Sequence, residues 1–357
     1  MEVRDRVKGL LRELIAIRSV SGEEGKIQEF IEGRLRGVGV PVVRQEVTEG
    51  RFNLVCPSDT PFVVSCHVDT VPPIDMENAF EAKEVGGRIY GRGASDVKGA
   101  LSALLTAVEL FKERHPEEEL PLSLAFVVDE ETNSALGSEK VVEVLGKDKL
   151  CLVLEPTHGA LCVAQNGAVE FSLVVEGESV HGAEFEKTEN PIKVCIKVLE
   201  SIEDKLSRPV NILTLKGGEE HYLVPKRCYA LAEVKLWQGE RWGEVEELIR
   251  ESIKEVRTSC DVRYTLEDAE DFIEFRCNGL LDPLKEAYRR AVGREPRLDT
   301  MPSWTDAANF HRAGYECVVF GFGSLKDSHT ERESISEDEL EKMTFFFLEL
   351  FEVLRCA

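Results

Sequence analysis

Residues 122–132 read LSLAFVVDEET, a short apolar run that ends on three consecutive acids. An apolar segment of this length, bounded by turn residues, reads as a strand, Leu122–Val128, buried on both faces. The same design recurs at residues 62–70, FVVSCHVDT, where the strand Phe62–Cys66 runs into His67 and Asp69, and at residues 151–157, CLVLEPT, where Cys151–Leu154 runs into Glu155. Helical patterns lie between them: Gly99–Phe111, rich in Ala and Leu, and Ser138–Leu145. Strands alternating with helices specify an α/β domain whose mixed, mostly parallel sheet is flanked by helices.

Working outward, residues 3–17 carry a helical stripe from Val3 to Ile15, and Ser21 with Glu24 has the spacing of a capping box opening a second helix. Val42–Val43 and Phe52–Cys56 read as further strands. From residue 167 the pattern changes. Val169–Glu176 largely alternates apolar and polar, Asn190-Pro191 opens a helix, Val210–Leu215 and Cys228–Trp237 are strands, Gly243–Val256 is a helix and Val262–Leu266 an edge strand. This β-α-β-β-α-β order is a split βαβ, or ferredoxin-like, α+β unit. After Gly279 the first pattern resumes, with a strand at Cys317–Phe320 and a last helix capped by Ser336 and Glu339. The expected organisation is a first domain at 1–166 and 279–357, interrupted by an inserted domain at 167–278.

The chain has 357 residues, 67 acidic and 44 basic, a formal charge of −23 that disfavours nucleic acid and anionic membrane surfaces as partners. Its apolar runs are far shorter than the ~20 residues of a membrane span. The opening MEVRDRVKGLLRELI lacks the apolar core of a signal peptide, and ten cysteines without close pairing suit reduced thiols in a cytoplasm. Gly91 and Gly93 mimic the start of a dinucleotide fingerprint, but no third glycine follows at the required spacing.

The acids and histidines at strand ends carry the chemistry. His67, Glu131 and Glu155 follow strands, Asp96 precedes the Ala-rich helix in GRGASDVKGA, and His329 lies in the polar loop SLKDSHTERE. Singly, each has an ordinary reading as a solvated loop residue or, for Asp96, a helix cap. Together they form a nitrogen and oxygen donor set that suits zinc, cobalt or manganese. Two ions ~3.5–4 Å apart need one bridging ligand and about two more each, which these five residues supply. Asp69 is then available to hold the second nitrogen of His67, and Glu130 to act as general base toward a water between the metals.

HVDTVPP, GRGASDVKGALSALLTA, DEET with GSE, EPT and SHTERESIS resemble, in this order, the co-catalytic metallopeptidase and deacylase family. That family includes acetylornithine deacetylase, succinyl-diaminopimelate desuccinylase, aminoacylase and glutamate carboxypeptidase. The resemblance implies that His67, Asp96 and Glu155 hold one metal, and that Asp96, Glu131 and His329 hold the other. It implies a homodimer formed through the inserted domain, with His181 of GESVHGA reaching the neighbouring site to stabilise an oxyanion. Departures point to the substrate: Asn166 and Lys235 stand where arginines are often found, Tyr222 where Asn is usual, and Thr305 follows Trp304 instead of Gly. Lysine does not replace the bidentate fork of arginine, so a small acyl group is expected over a dianionic succinyl group. The expectation is an N-acyl amino acid deacylase of the acetylornithine deacetylase type. The alternatives are a dipeptidase or carboxypeptidase on the same centre, or a silent metal- or amino-acid-binding relative.

Overall fold

The computed structural model describes residues 2–356 apart from 133, 148 and 219. Along the chain come α1 (Val3–Ala16), α2 (Gly25–Gly37), β1 (Val43–Thr48), β2 (Arg51–Cys56), β3 (Phe62–His67), β4 (Lys83–Val85), β5 (Arg88–Tyr90), α3 (Lys98–Arg114), β6 (Ser123–Val127), α4 (Leu136–Leu145), β7 (Leu150–Leu154) and β8 (Leu161–Gln165). There follow β9 (Gly167–Glu176), α5 (Pro191–Leu206), β10 (Asn211–Gly217), β11 (Arg227–Leu236), α6 (Trp242–Glu255), β12 (Asp261–Glu270) and the two-residue β13 (Ile273–Glu274). The chain ends with α7 (Asn278–Val292), β14 (Leu298–Met301), α8 (Ala307–Arg312), β15 (Glu316–Phe320), β16 (Ser334–Ser336) and α9 (Glu337–Arg355).

Two compact units result, one running to Ala164 and resuming at Phe275, the other spanning Gln165–Glu274. The chain re-enters the first unit before Gly279, because the amide of Phe275 already bonds Val163 O at 2.9 Å and Arg276 O accepts from Cys317 N at 2.8 Å.

In the first unit the strand order is β1-β2-β6-β3-β7-β15-β8, with β14 beside β8. β3 runs parallel to both β6 and β7, and β7 parallel to β15. These four strands therefore present their carboxyl ends at one edge, the place where open α/β sheets collect functional groups. Every residue of β3 is buried, because helices cover both faces of a parallel sheet. Phe62, Val64 and Cys66, with Leu124, Phe126, Leu152, Leu154, Val318 and Phe320, point into the core shared with α1, α2, α3, α7 and α9. The final helix carries the expected capping box, with Ser336 and Glu339 each satisfying the other's backbone amide. A three-stranded sheet, β16-β5-β4, ties the segment around residue 90 to the chain after His329.

The expected capping box at Ser21 does not form. Glu24 itself is the N-cap of α2 and no side chain caps it. Stronger partners have taken both groups: the Ser21 hydroxyl donates to Asp69 Oδ2 at 2.7 Å and the Glu24 carboxylate accepts from Arg51 at 2.5 Å.

The second unit has the order β10-β11-β9-β12, antiparallel throughout, with its helices sharing one core with the inward residues of the sheet. Phe171, Leu173, Val175, Cys228, Ala230 and Val234 face that core, matching the period-two pattern of β9 and β11.

Candidate metal centre

Each of the five acid and histidine segments belongs to the first unit, and the fold brings them together. His67 ends β3, Glu130 and Glu131 follow β6, Glu155 follows β7, Asp96 precedes α3, and His329 lies between β15 and β16. Nε2 of His67 is 3.3 Å from Asp96 Oδ1 and 3.8 Å from Glu155 Oε1. The other oxygen of Asp96 is 3.5 Å from Nε2 of His329, which in turn is 2.9 Å from Glu131 Oε2. Asp96 thus faces both imidazoles, one through each oxygen. His67, Glu130 and Glu155 each offer a ligand atom within 4.8 Å of the other two, and Asp96, Glu131 and His329 do the same.

The donor atoms meet a direct test of fit. Among the described residues, His67 Nε2, Asp96 Oδ1, Glu131 Oε1 and Glu155 Oε1 are buried and have no hydrogen-bond partner. Burying an unsatisfied polar atom is unfavourable, so four such atoms converging on one place indicate a group that satisfies them together. A pair of divalent cations does this with the donor chemistry present.

The electrostatics agree. Burial, reinforced by the charge of Glu155, holds the Glu130 carboxyl well above the usual carboxylate range, and burial does the same to Glu155. Glu131 is raised by burial and by Asp96. Hydrogen bonds that His329 donates to Asp96 and Glu131 lift it to about 10. Burial opposes charge on His67, but Asp69 and Asp96 outweigh it and raise the imidazole well above its ordinary value. Burial also opposes the charge on Asp96, yet the two histidines hold it below the carboxylate range. Protons here compensate a surplus of negative charge that cations would otherwise neutralise.

The surrounding groups are specific. Nδ1 of His67 bonds the backbone carbonyl of Asp69 at 3.1 Å, while the Asp69 carboxylate, expected to face that nitrogen, stands 3.7 Å away. That carboxylate instead accepts from Ser21 and from the amides of Glu130 and Glu131, at 3.2 and 3.0 Å. It therefore aligns the acid loop as well as the imidazole. Asp129, in the left-handed region at φ 73°, is clamped by Arg51 at 2.7 Å.

Reading the sequence missed the supporting roles of Ser21, Arg51 and Asp306, and the buried ion pair between Arg92 and Glu333. Asp306 is buried beside the cluster, accepts from the Ser138 hydroxyl and is raised by burial to about 7. Arg92, Asp306 and Glu333 all stand inside recognisable motifs, but pattern alone does not reveal which charges fold inward.

The proposed substrate residues are placed differently. Thr305 is fully buried, and its hydroxyl accepts from the amide of Ala307 at the start of α8. Asn166, His181, Tyr222 and Lys235 belong to the second unit. Asn166 is half-buried between β8 and β9, Lys235 pairs with Glu233 at 3.1 Å, and Tyr222 is 73% exposed. His181 is exposed, and its Nδ1 accepts from the amide of Ala183 at 3.2 Å. In the neutral ring this leaves the proton on Nε2, a donor facing outward from that bond.

A sequence model of peptidase family M20/M25/M40 matches residues 63–353. A succinyl-diaminopimelate desuccinylase of Colwellia psychrerythraea is 23% identical over 97% of this chain and 94% of its own. The structure of human carnosine dipeptidase 1 superposes with a TM-score of 0.79 at 18% identity, covering 98% of this chain and 96% of the other. A dinuclear metal-binding peptidase of the M20 family from Bacillus subtilis superposes with a TM-score of 0.68 at 16% identity, over 99% of both chains. No helix among the described residues is long and apolar enough to cross a membrane.

Proposed function

We propose that this chain, which belongs to peptidase family M20/M25/M40 and is a metal-dependent hydrolase, cleaves the amide bond of an N-acyl amino acid, in the manner of acetylornithine deacetylase. The observation that carries the reading is Asp96, whose two oxygens face His67 and His329 at 3.3 and 3.5 Å. A carboxylate so placed is a natural bridge, with Glu155 completing the ligands on the His67 side and Glu131 those on the His329 side. Two divalent ions held there, zinc or alternatively cobalt or manganese, would supply the positive charge that polarises an acyl carbonyl and acidifies water.

The protein's own groups do the rest. Glu130 removes a proton from the attacking water and later delivers it to the departing amine, one carboxyl serving as base and then acid. Its buried position favours this task, because burial raises its proton affinity. Asp69 holds the backbone of Glu130 and Glu131, so the base and its neighbouring ligand keep a fixed separation. His181 would donate from Nε2 to the oxyanion of a second copy, which makes the homodimer part of the reading. The exposed edge strand β10, with Ile212, Leu213 and Leu215 between 43 and 47% exposed, supports such pairing. Free thiols at all ten cysteines accord with a reducing cytoplasm.

The choice of a small acyl group rests on Asn166 and Lys235, neither of which offers a guanidinium fork to a second carboxylate. The desuccinylase relative favours the succinyl substrate and the dipeptidase neighbour a peptide. A panel of acetyl-, succinyl- and aminoacyl-amino acids, tested with zinc- and cobalt-loaded protein, separates the three. Preference for the acetyl series supports the proposal, and preference for either other series overturns it. Absence of both bound metal and hydrolysis would identify a silent relative.

A further inference from the structure

Glu333 and Arg92 form a fully buried ion pair, 0% and 1% exposed, 2.5 Å apart, that belongs to neither candidate ligand set. One oxygen of Glu333 is taken by Arg92. The other accepts from the backbone amides of Ser95 and Asp96, each at 3.1 Å. Arg92 also donates to Pro73 O at 3.1 Å, and the Glu333 carbonyl accepts from the amide of Gly91 at 3.3 Å. Glu333 lies four residues after His329 and directly before β16, which pairs with β5. A second tie runs parallel to it: the Ser95 hydroxyl accepts from the amide of Ser324 at 2.8 Å.

We propose that Glu333, seated on Arg92, is a positioning residue that sets the separation of Asp96 and His329, and with it the second ion's site. Its carboxylate grips the main chain of Asp96 while its own main chain carries His329 through a four-residue tether. Charge-assisted bonds from amides are strong and directional, and a buried carboxylate with every contact used has little freedom to shift. Groups behind the ligands commonly change metal affinity by about 10–100-fold when altered. The His67 side keeps two donors placed by the sheet, His67 and Glu155, whereas on the other side both Asp96 and His329 are tied through Glu333, so loss of Glu333 falls mainly there.

The inference rests on the dinuclear reading, and one experiment separates the two. Metal-free wild type, E333Q and E333D are titrated with Co²⁺ against a chromophoric chelator, alongside melting of the metal-free proteins. Wild type should take up two equivalents; uptake of none would defeat the dinuclear reading itself. Both variants should keep the first equivalent and lose affinity for the second by about 10–100-fold. E333D keeps a negative charge for Arg92 but withdraws its oxygens from the amides. It should therefore melt closer to wild type than E333Q does while still losing the second ion, a dissociation that a purely structural staple would not produce. Two equivalents bound at wild-type affinity by E333D overturn the proposal, and that variant decides alone if E333Q does not fold.

Discussion

Binding of metal to this protein should expel protons, in a number that the site's charges fix. In the metal-free site His329 has its pKa lifted to about 10 by Asp96 and Glu131, and His67 is held well above 6.5 by Asp69 and Asp96 against the opposing effect of burial. His329 is therefore cationic at neutral pH, His67 holds a proton more strongly than a free imidazole does, and each must be deprotonated before Nε2 can bind a metal. Glu130 and Glu155, raised by burial, add up to two more protons if both are displaced. The expected release is thus at least about one proton, from His329, and up to about four per pair of ions. The metal-free state holds the extra protons, so affinity rises with pH, and two protons correspond to about a hundredfold per pH unit in the overall constant for both ions. The His329 proton contributes its factor of about ten per pH unit from neutral pH upward until it titrates near 10. The assay is calorimetric titration of chelator-treated protein in buffers of different ionisation enthalpy, where the dependence of the observed heat on the buffer gives the proton count. Release of fewer than one proton at pH 7 would refute the view that the acids of this cluster keep its histidines charged.

Glu130→Gln should lower kcat by about 10²–10⁴, the usual contribution of a general acid–base group, while metal content by elemental analysis stays at the wild-type level. Near-normal turnover would remove Glu130 as base. Lys98 is buried, its Nζ bonds Ile17 O at 2.7 Å and burial lowers its pKa to about 7. Between about 7 and the ordinary lysine value the unfolded chain binds the extra proton at this position, so Lys98 adds up to about 1.4 kcal/mol per unit to the pH slope of stability, opposite in sign to the contribution of the raised His329. Lys98→Met should lower that slope in chemical denaturation, and an unchanged slope would contradict the assignment. Ser336→Ala removes one half of the capping box of α9 and should destabilise by about 1 kcal/mol, read from the same denaturation curves. Phe346→Ala vacates a ring packed 4.4 Å from that of Phe320 and should cost about 3–5 kcal/mol.

The strands that position the site were legible because a buried parallel strand leaves a nearly continuous apolar run, broken only by small serines at Ser65 and Ser123, and His67, Glu131 and Glu155 each follow such a run. The second unit was legible for the complementary reason, since β9 and β11 bury alternate residues. Capping patterns were less dependable. Ser336 and Glu339 cap α9, but Ser21 and Glu24, with the same spacing, were recruited by Asp69 and Arg51. The Ser21 hydroxyl donates to a carboxylate across the fold, and that charge-assisted bond, rather than an amide of α2, sets where the side chain points. The short sheet β16-β5-β4 was invisible, because three-residue strands are too short to show a period. Arg92 and Glu333 were hidden too, since no local pattern distinguishes a charge that will be buried from the many that stay solvated.

The donors divide into a half that the sheet builds and a half that other contacts bring to it. His67, Glu131 and Glu155 sit at the ends of adjacent parallel strands, where backbone hydrogen bonds already fix their spacing. Asp96 and His329 come from outside the sheet, and the contacts that bring them in are Glu333, Ser95 and the β16–β5 pairing. One half of the cluster is thus built into the sheet and the other half is fastened to it. Asp96 faces both histidines, so the carboxylate whose main chain Glu333 grips joins the two halves, while His67 and Glu155 keep their places in the sheet without it. Misplacing that one backbone segment would separate the halves while leaving the sheet intact. Asp96, which lies outside any helix or strand, is accordingly the donor whose main chain is held by a fully buried ion pair.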